Sequence, residues 1–243
     1  MISVAQNLYA HAIKTDRLQR INAGLIDALY ARLPVAQFAT VVYAAVAIFV
    51  LRDAVPEKTR YSWFVLMLIA SGGRALLWRA YSRARPSAGD AGLWGRWFAA
   101  GAAAAGILWG ASAILFYVPG DLALQAFIAF TIGTVIVASA LALGSHPRAF
   151  LAFALPAMLL LAGSFIAEGS EFSVVIGMMA VVLGVVLGAL ADNMHRSHVR
   201  ALSLRIDNEN LTGTLAMASE AAHAADLAKT AFLNSVSHEL KTP

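Results

Sequence analysis

Cysteine is absent from the 243 residues, and charged side chains are scarce. Without cysteine the chain has no disulfide, no thiolate nucleophile, no iron–sulfur cluster and no Cys-type zinc site. Charged residues make up 13% of the chain, whereas a soluble globular domain has roughly a quarter. Hydrophobic residues make up 60%. This composition does not fit a soluble domain and indicates a chain that lies mostly in a membrane.

The apolar residues form blocks long enough to cross a bilayer, for which roughly 20 helical residues suffice. We therefore predict an all-α fold: a polytopic membrane protein with six transmembrane helices followed by a long cytoplasmic coiled-coil signalling helix. The first block begins near residue 33 and lacks a small-residue cleavage site, so no cleaved signal peptide is expected. The six blocks span residues 33–51, 63–81, 97–118, 122–144, 150–167 and 172–191.

The basic residues are distributed unequally between the two sides of these blocks. With the amino terminus inside, the outer loops carry only Arg52, Lys58 and Arg60, and all other Lys and Arg between the blocks or beyond them lie inside. The positive-inside rule then predicts both termini in the cytoplasm, and we expect a bacterial inner (plasma) membrane. The net charge of +4 is scattered among loops and not gathered on one face, so no nucleic-acid partner is expected.

We expect four segments along the chain. Residues 1–32 form a cytoplasmic amphipathic segment that lies on the membrane surface or packs on the signalling helix. Residues 33–191 form a six-helix transmembrane sensor domain, 192–227 a coiled-coil linker, and 228–243 the start of a further helix. The predicted outer loops are too short for an extracellular ligand-binding domain. Any signal is therefore expected to be sensed within the membrane, at its surface or by the cytoplasmic ends.

Arg74 is the ionisable residue that lies deep in a predicted span, which makes it a candidate functional residue. The favoured interpretation is that its stem extends to the headgroups beside Arg79 and Arg83. The alternative is that Arg74 faces the bundle and binds an anionic or polar headgroup. Its candidate neighbours in that second case are Gln37, Thr40, Thr131 and Thr134.

Two other patterns in the apolar blocks have a structural interpretation. Glycines four residues apart allow close helix packing, most simply within one chain, with a dimer face or a ligand groove as alternatives. These pairs are Gly106 with Gly110 and Gly184 with Gly188.

Aromatic residues near the span ends are predicted to be headgroup anchors: Tyr61, Trp63, Trp78, Tyr81, Trp94, Trp97 and Tyr117. Asp192, His195 and His198 are interpreted as a solvated face, with no metal expected.

A seven-residue repeat follows the sixth block. One seam position holds residues 201, 208, 215, 222, 229 and 236, and the other holds 204, 211, 218, 225 and 232. This pattern predicts a coiled coil, with polar Asn208 and Lys229 in the seam. His238 lies two positions after the seam residue Val236, so it is predicted to face outward.

Residues 228–243, AKTAFLNSVSHELKTP, resemble the first helix of the dimerisation and histidine-phosphotransfer domain of sensor histidine kinases. The resemblance implies that His238 is the phosphoacceptor, that Glu239 is the proton acceptor beside it, and that Thr242 is linked to phosphatase activity. It also implies a homodimer, a response regulator as partner, and a separate catalytic domain that binds ATP and Mg²⁺. The asparagine and glycine boxes of that domain do not occur in this chain, so no cofactor and no kinase activity are expected from it alone.

The sequence thus predicts the input region of a two-component sensor kinase, truncated after its phosphoacceptor box. The alternative is a multi-pass binding or transport protein, or a scaffold, whose tail matches the box by chance. Transporters usually have several deep ionisable residues or an internal repeat, whereas this chain has Arg74 and no evident repeat.

Overall fold

The computed structural model describes the backbone of residues 2–239 and the side chains of residues 11, 14–224, 226–227 and 229–230. The described chain is helical throughout, without strands. The helices are α1 (Ile2–Val50), α2 (Glu57–Ala84), α3 (Ala91–Leu115), α4 (Leu122–Leu143), α5 (Pro147–Glu168) and α6 (Glu171–Glu239), and a 3₁₀ turn at Ala88–Asp90 precedes α3.

Six of the described helices are long and apolar enough to cross a membrane, which confirms the predicted number of apolar helices and the all-α class. These helices extend beyond most of the predicted blocks, because their ends are set by capping groups and not by hydrophobicity. Asp121 accepts a hydrogen bond from the backbone N–H of Leu124 (3.0 Å) where α4 begins. Gly169 ends α5 with a φ of 79°, a left-handed conformation that glycine adopts without strain.

The boundary predicted at residue 33 does not correspond to a break in the chain. Helix α1 runs without interruption through Pro34. Its buried residues around this point share one face at helical spacing, which packs into the bundle core: Leu25, Ile26, Leu29, Tyr30 and Leu33. The last two turns of the predicted surface segment therefore belong to the packed bundle.

The chain divides into two compact units, residues 1–199 and 200–243. In the first unit, α3 packs closely on α5 through small residues. A Cβ atom at Gly106 would overlap the carbonyl oxygen of Phe153, and one at Gly110 would lie 2.8 Å from the carbonyl oxygen of Pro156. The first glycine pair therefore packs within the chain, as predicted.

The second glycine pair is divided between two environments. A Cβ at Gly184 would overlap the sulfur of Met158 on α5, whereas one at Gly188 would have no atom within 4 Å. The second unit, taken by itself, is the distal part of α6. Most of its described large apolar side chains are exposed, namely Leu204, Leu211, Leu215, Met217 and Leu227, whereas Leu202 and Ile206 are half-buried.

One of the predicted headgroup anchors is a core residue. Trp63 is 1% exposed, and its indole N–H donates to the carbonyl oxygen of Leu108 (2.7 Å). Its ring contacts those of Trp109 and Phe116 edge to face. Because both its apolar surface and its polar N–H are satisfied inside the bundle, Trp63 is not an anchor. Trp97 by contrast is largely exposed.

Candidate functional site

The side chain of Arg74 turns into the bundle. It is 8% exposed, and its stem crosses α3 at Gly101, where a Cβ atom would lie 3.2 Å from Cγ of Arg74. The guanidinium carbon lies 5.3 Å from the ring centroid of Phe98, within cation–π range. Arg79 and Arg83, further along α2, are exposed. The favoured interpretation, that Arg74 extends to the headgroups beside them, was therefore wrong about the direction of this side chain.

Among the described side chains, Arg74 makes neither a hydrogen bond nor an ion pair. A guanidinium has five donors and does not deprotonate in proteins, so this burial is costly unless an acceptor is supplied. Arg60, which is equally buried, shows the usual solution. Its Nε donates to the carbonyl oxygen of Val55 and its NH1 to that of Ile48, both at 2.9 Å.

Arg74 lines a cavity of about 460 Å³ between α1 and α4, which we call the α1–α4 cavity. Its wall is mostly aliphatic and includes Val35, Val135 and Leu143. A few polar groups interrupt this wall, which is the usual composition of a small-molecule site of about 300–1,000 Å³. Besides Arg74, the lining side chains with polar groups are Arg32, Thr40, Tyr43 and Ser139.

The α1–α4 cavity is open toward the side of the bundle. Val35 is 75% exposed and Leu141 is 57% exposed, and both line it. These residues lie on helices that are long and apolar enough to cross a membrane. The exposed edge of the cavity is apolar at Val35 and Leu141 and also carries the exposed Arg32, whereas the buried cation is Arg74.

The structure brings some of the predicted neighbours to Arg74 and leaves others apart. Thr40 lines the cavity, and its hydroxyl donates to the carbonyl oxygen of Ala36. Gln37 is buried and donates through Nε2 to the carbonyl oxygen of Ser71 (3.0 Å), one turn before Arg74. Its Oε1 is buried without a partner among the described atoms. Thr131 and Thr134 are not among the lining residues.

The sequence interpretation missed three polar lining residues, Arg32, Tyr43 and Ser139. On α1 the signal was present: residues 32, 36, 39, 40 and 43 recur every three or four positions and line the cavity together. The prediction placed residue 32 in a separate surface segment, so this continuous helical face was divided between two segments.

Arg32 also connects the cavity to α6. Its NH1 donates to the carbonyl oxygen of Leu141 (3.1 Å), and its NH2 lies 3.3 Å from Nε2 of His198. The other ring nitrogen, Nδ1 of His198, lies 2.7 Å from the carbonyl oxygen of Met194. Nδ1 must donate to that carbonyl, so Nε2 accepts from Arg32. One end of the cavity is thus hydrogen-bonded to α6 at His198.

The neighbouring polar residues on α6 also have partners. His195 donates from Nδ1 to the carbonyl oxygen of Ser145 (2.8 Å), and Asp192 forms an ion pair with Arg196 (2.6 Å). No group of three or more potential metal ligands occurs among the residues that the structure describes.

His146 caps α5 in the loop next to this contact. Its Nδ1 accepts a hydrogen bond from the backbone N–H of Ala149 (3.3 Å). Burial lowers the pKa of His146 below its ordinary value of 6.5, and the nearby charges of Arg148 and His195 lower that pKa further. The neutral ring that results can act as the acceptor in this cap.

The described part of the predicted phosphoacceptor box lies at the end of α6. His238 and Glu239 are in its last described turn, and their side chains are outside the described set. Thr242 lies outside the described residues. Their roles stay predictions. Comparison of the chain with protein-family models, with curated proteins and with solved structures found no match.

Proposed function

We propose that this chain is the membrane input region of a two-component sensor histidine kinase and includes the start of its phosphoacceptor helix. The observation that carries the proposal is the continuity of α6, which runs from Glu171 to Glu239. One helix thus includes the sixth apolar segment and the residue that the box predicts to be phosphorylated, His238. A change in the packing of the bundle then has a direct mechanical route to that histidine.

In the proposed reaction, a ring nitrogen of His238 attacks the γ-phosphorus of ATP, the bond to the bridging oxygen breaks and ADP leaves. Glu239 accepts the proton of the other ring nitrogen, which keeps the attacking nitrogen nucleophilic. The phosphoryl group then passes to an aspartate carboxylate of a response regulator. ATP and Mg²⁺ are supplied by a separate catalytic domain. Thr242 is linked to the phosphatase activity, in which water attacks the phosphorylated aspartate of the regulator, the bond from phosphorus to the carboxylate oxygen breaks and inorganic phosphate leaves.

The proposed active form is a homodimer whose α6 helices pair beyond the bundle. Leu204, Leu211 and Leu215 occupy predicted seam positions, and each is more than 60% exposed in the single chain. Leu204 and Leu211 are seven residues apart and Leu215 follows four residues later, so all three lie on one helix face that is stabilised by pairing with the same face of a second helix. The positive-inside distribution of Lys and Arg supports a bacterial inner membrane with both termini in the cytoplasm, where ATP and response regulators occur.

The experiment is autophosphorylation of the full-length protein in membranes with labelled ATP. We expect acid-labile, base-stable label on the wild-type protein and none on His238→Ala. The matched control is His223→Ala, which removes another exposed histidine from α6 and should leave the label unchanged. Label that persists in His238→Ala would contradict the proposal.

A further inference from the structure

The uncompensated charge of Arg74 indicates what the α1–α4 cavity is suited to bind. The Arg74 side chain is buried and lines the cavity. Its guanidinium lies over the ring of Phe98 and interacts electrostatically with Tyr30, without a hydrogen bond to a described residue. No carboxylate among the described side chains pairs with it. A buried arginine fork is the geometry that recognises a carboxylate or phosphate with two parallel hydrogen bonds.

The walls of the cavity indicate the rest of the ligand. They are aliphatic over most of their area, and the cavity opens past Val35 and Leu141 at the apolar side of the bundle. An amphiphile dissolved in a bilayer can enter with its chain along this apolar edge, and Arg32, which donates to the carbonyl oxygen of Leu141 there, attracts an anionic head. The volume of about 460 Å³ suits an anionic head with part of one aliphatic chain.

We propose that the α1–α4 cavity binds an anionic amphiphile, with Arg74 holding the carboxylate or phosphate head and the aliphatic walls holding the chain. Thr40 and Ser139, which also line the cavity, supply hydroxyl groups near the same space. Arg60 is equally buried and donates to two neutral carbonyl oxygens. A buried arginine in this fold can therefore have acceptors within the chain.

The inference that this cavity is the stimulus site of the sensor rests on the proposed function. The inference that the cavity binds an anionic amphiphile does not. Arg32 lines the cavity and hydrogen-bonds to His198 on α6, so an anion that draws Arg32 inward competes with that hydrogen bond. Ligand occupancy would then alter the attachment of the signalling helix at a single, identified contact.

The test is photolabelling of the purified chain in phosphatidylcholine nanodiscs with a dodecanoate that carries a diazirine in its chain. We expect label on peptides of α1 and α4, suppressed by unlabelled dodecanoate or dodecyl phosphate and much less by dodecanol. Arg74→Gln should reduce the label at least tenfold, because a charged hydrogen bond is lost. Arg79→Gln, an exposed arginine on the same helix, should leave the label unchanged.

A second variant keeps the test valid if Arg74→Gln does not fold. Ala142→Phe retains Arg74 and fills the cavity that Ala142 lines, so it should also abolish the label. Nanodiscs with added phosphatidylglycerol distinguish the sources of the head: suppression identifies a bilayer phospholipid, and persistence identifies a free amphiphile. Equal competition by dodecanol, or unchanged label in either folded cavity variant, would overturn the proposal. Phosphorylation of His238 is not measured, so failure here is distinct from failure of the kinase assignment.

Discussion

At the scale of single residues, two buried arginines show how environment determines what a side chain does. Arg60 closes the turn between α1 and α2 by donating to two carbonyl oxygens, so its burial stabilises the fold. Arg74 has the same burial and only a ring contact among the described residues. Burial of an unpaired charge lowers the stability of the fold without a structural gain in return. A side chain with such a cost is typical of a binding site.

This contrast predicts opposite effects of the same substitution. Arg60→Met leaves two buried carbonyl oxygens without donors and should lower the free energy of unfolding by about 2 kcal/mol or more. Arg74→Met removes an uncompensated charge and should leave that free energy unchanged or raise it by about 1 kcal/mol. Thermal unfolding of the purified variants measures both. A large loss of stability in Arg74→Met would show that its charge has a structural partner.

His146 makes stability depend on pH. Its pKa is lowered in the folded chain by burial and by Arg148 and His195, so between that lowered value and 6.5 the unfolded chain binds more protons. Stability is therefore fully present above about pH 6.5 and falls as the pH drops through the folded pKa. Protonation also places a hydrogen on Nδ1 of His146. This nitrogen can then no longer accept the hydrogen bond from Ala149 that caps α5.

The expected result is a melting temperature that is constant from pH 7 to 8 and decreases on acidification. His146→Asn keeps a capping oxygen without a titrating group, so its melting temperature should depend less on pH between 5 and 7. His223→Asn, which changes an exposed histidine, is the control. Identical pH profiles for His146→Asn and the wild type would exclude this role.

At the scale of helices, the packing of α3 on α5 depends on the absence of side-chain atoms. Gly106 and Gly110 bring the backbone of α3 against the carbonyl oxygens of α5 at Phe153 and Pro156. Within a membrane the hydrophobic effect does not hold helices together, because lipid tails are as apolar as the helix surfaces. The close approach of α3 and α5 instead gains dispersion energy between the two helices. A backbone carbonyl has no alternative rotamer, so it cannot move aside for a new methyl group.

We therefore predict that Gly106→Ala lowers the free energy of unfolding by about 1–3 kcal/mol, although alanine favours helix. Gly163→Ala on α5 is the matched control, since a Cβ there would meet nothing within 4 Å. That variant should be neutral or stabilise the protein by up to about 1 kcal/mol. Chemical or thermal unfolding in detergent measures both, and equal effects would contradict the close contact.

At the scale of the whole molecule, α6 contributes to the bundle and continues through the second unit. Within the bundle its buried residues include Ala180, Leu187 and Ala191. Beyond residue 200 most of its described apolar side chains are exposed, and the proposed dimer is what would cover them. The chain alone supplies one half of that seam.

The absence of cysteine permits a direct test of the seam. Leu211→Cys places a thiol at a seam position, and Asn210→Cys places one at the adjacent position outside it. Under mild oxidation in membranes, Leu211→Cys should form a disulfide-linked dimer and Asn210→Cys should form little. Cross-linking to the same extent in both variants would be inconsistent with the predicted register.

The sequence predicted the helical class and the six apolar helices, because hydrophobic run length alone separates such helices from other structure. It also predicted that Gly106 and Gly110 pack within the chain. It failed on Trp63, because an aromatic residue at a span end can face either a headgroup or a neighbouring helix. It did not predict that α1 continues unbroken across residue 33, since an apolar face shows that a segment packs but not where its helix ends.

The sequence by itself determined the presence of an unusual arginine at residue 74 and the number of apolar helices, and it carries the resemblance on which the proposed phosphoacceptor box rests. Only the tertiary structure decided where Arg74 points, that it faces a cavity with Thr40 and Ser139, and that Arg32 reaches His198 on α6. The physical reason is that periodicity records which face of a helix is apolar, whereas the partner of that face depends on how the helices pack.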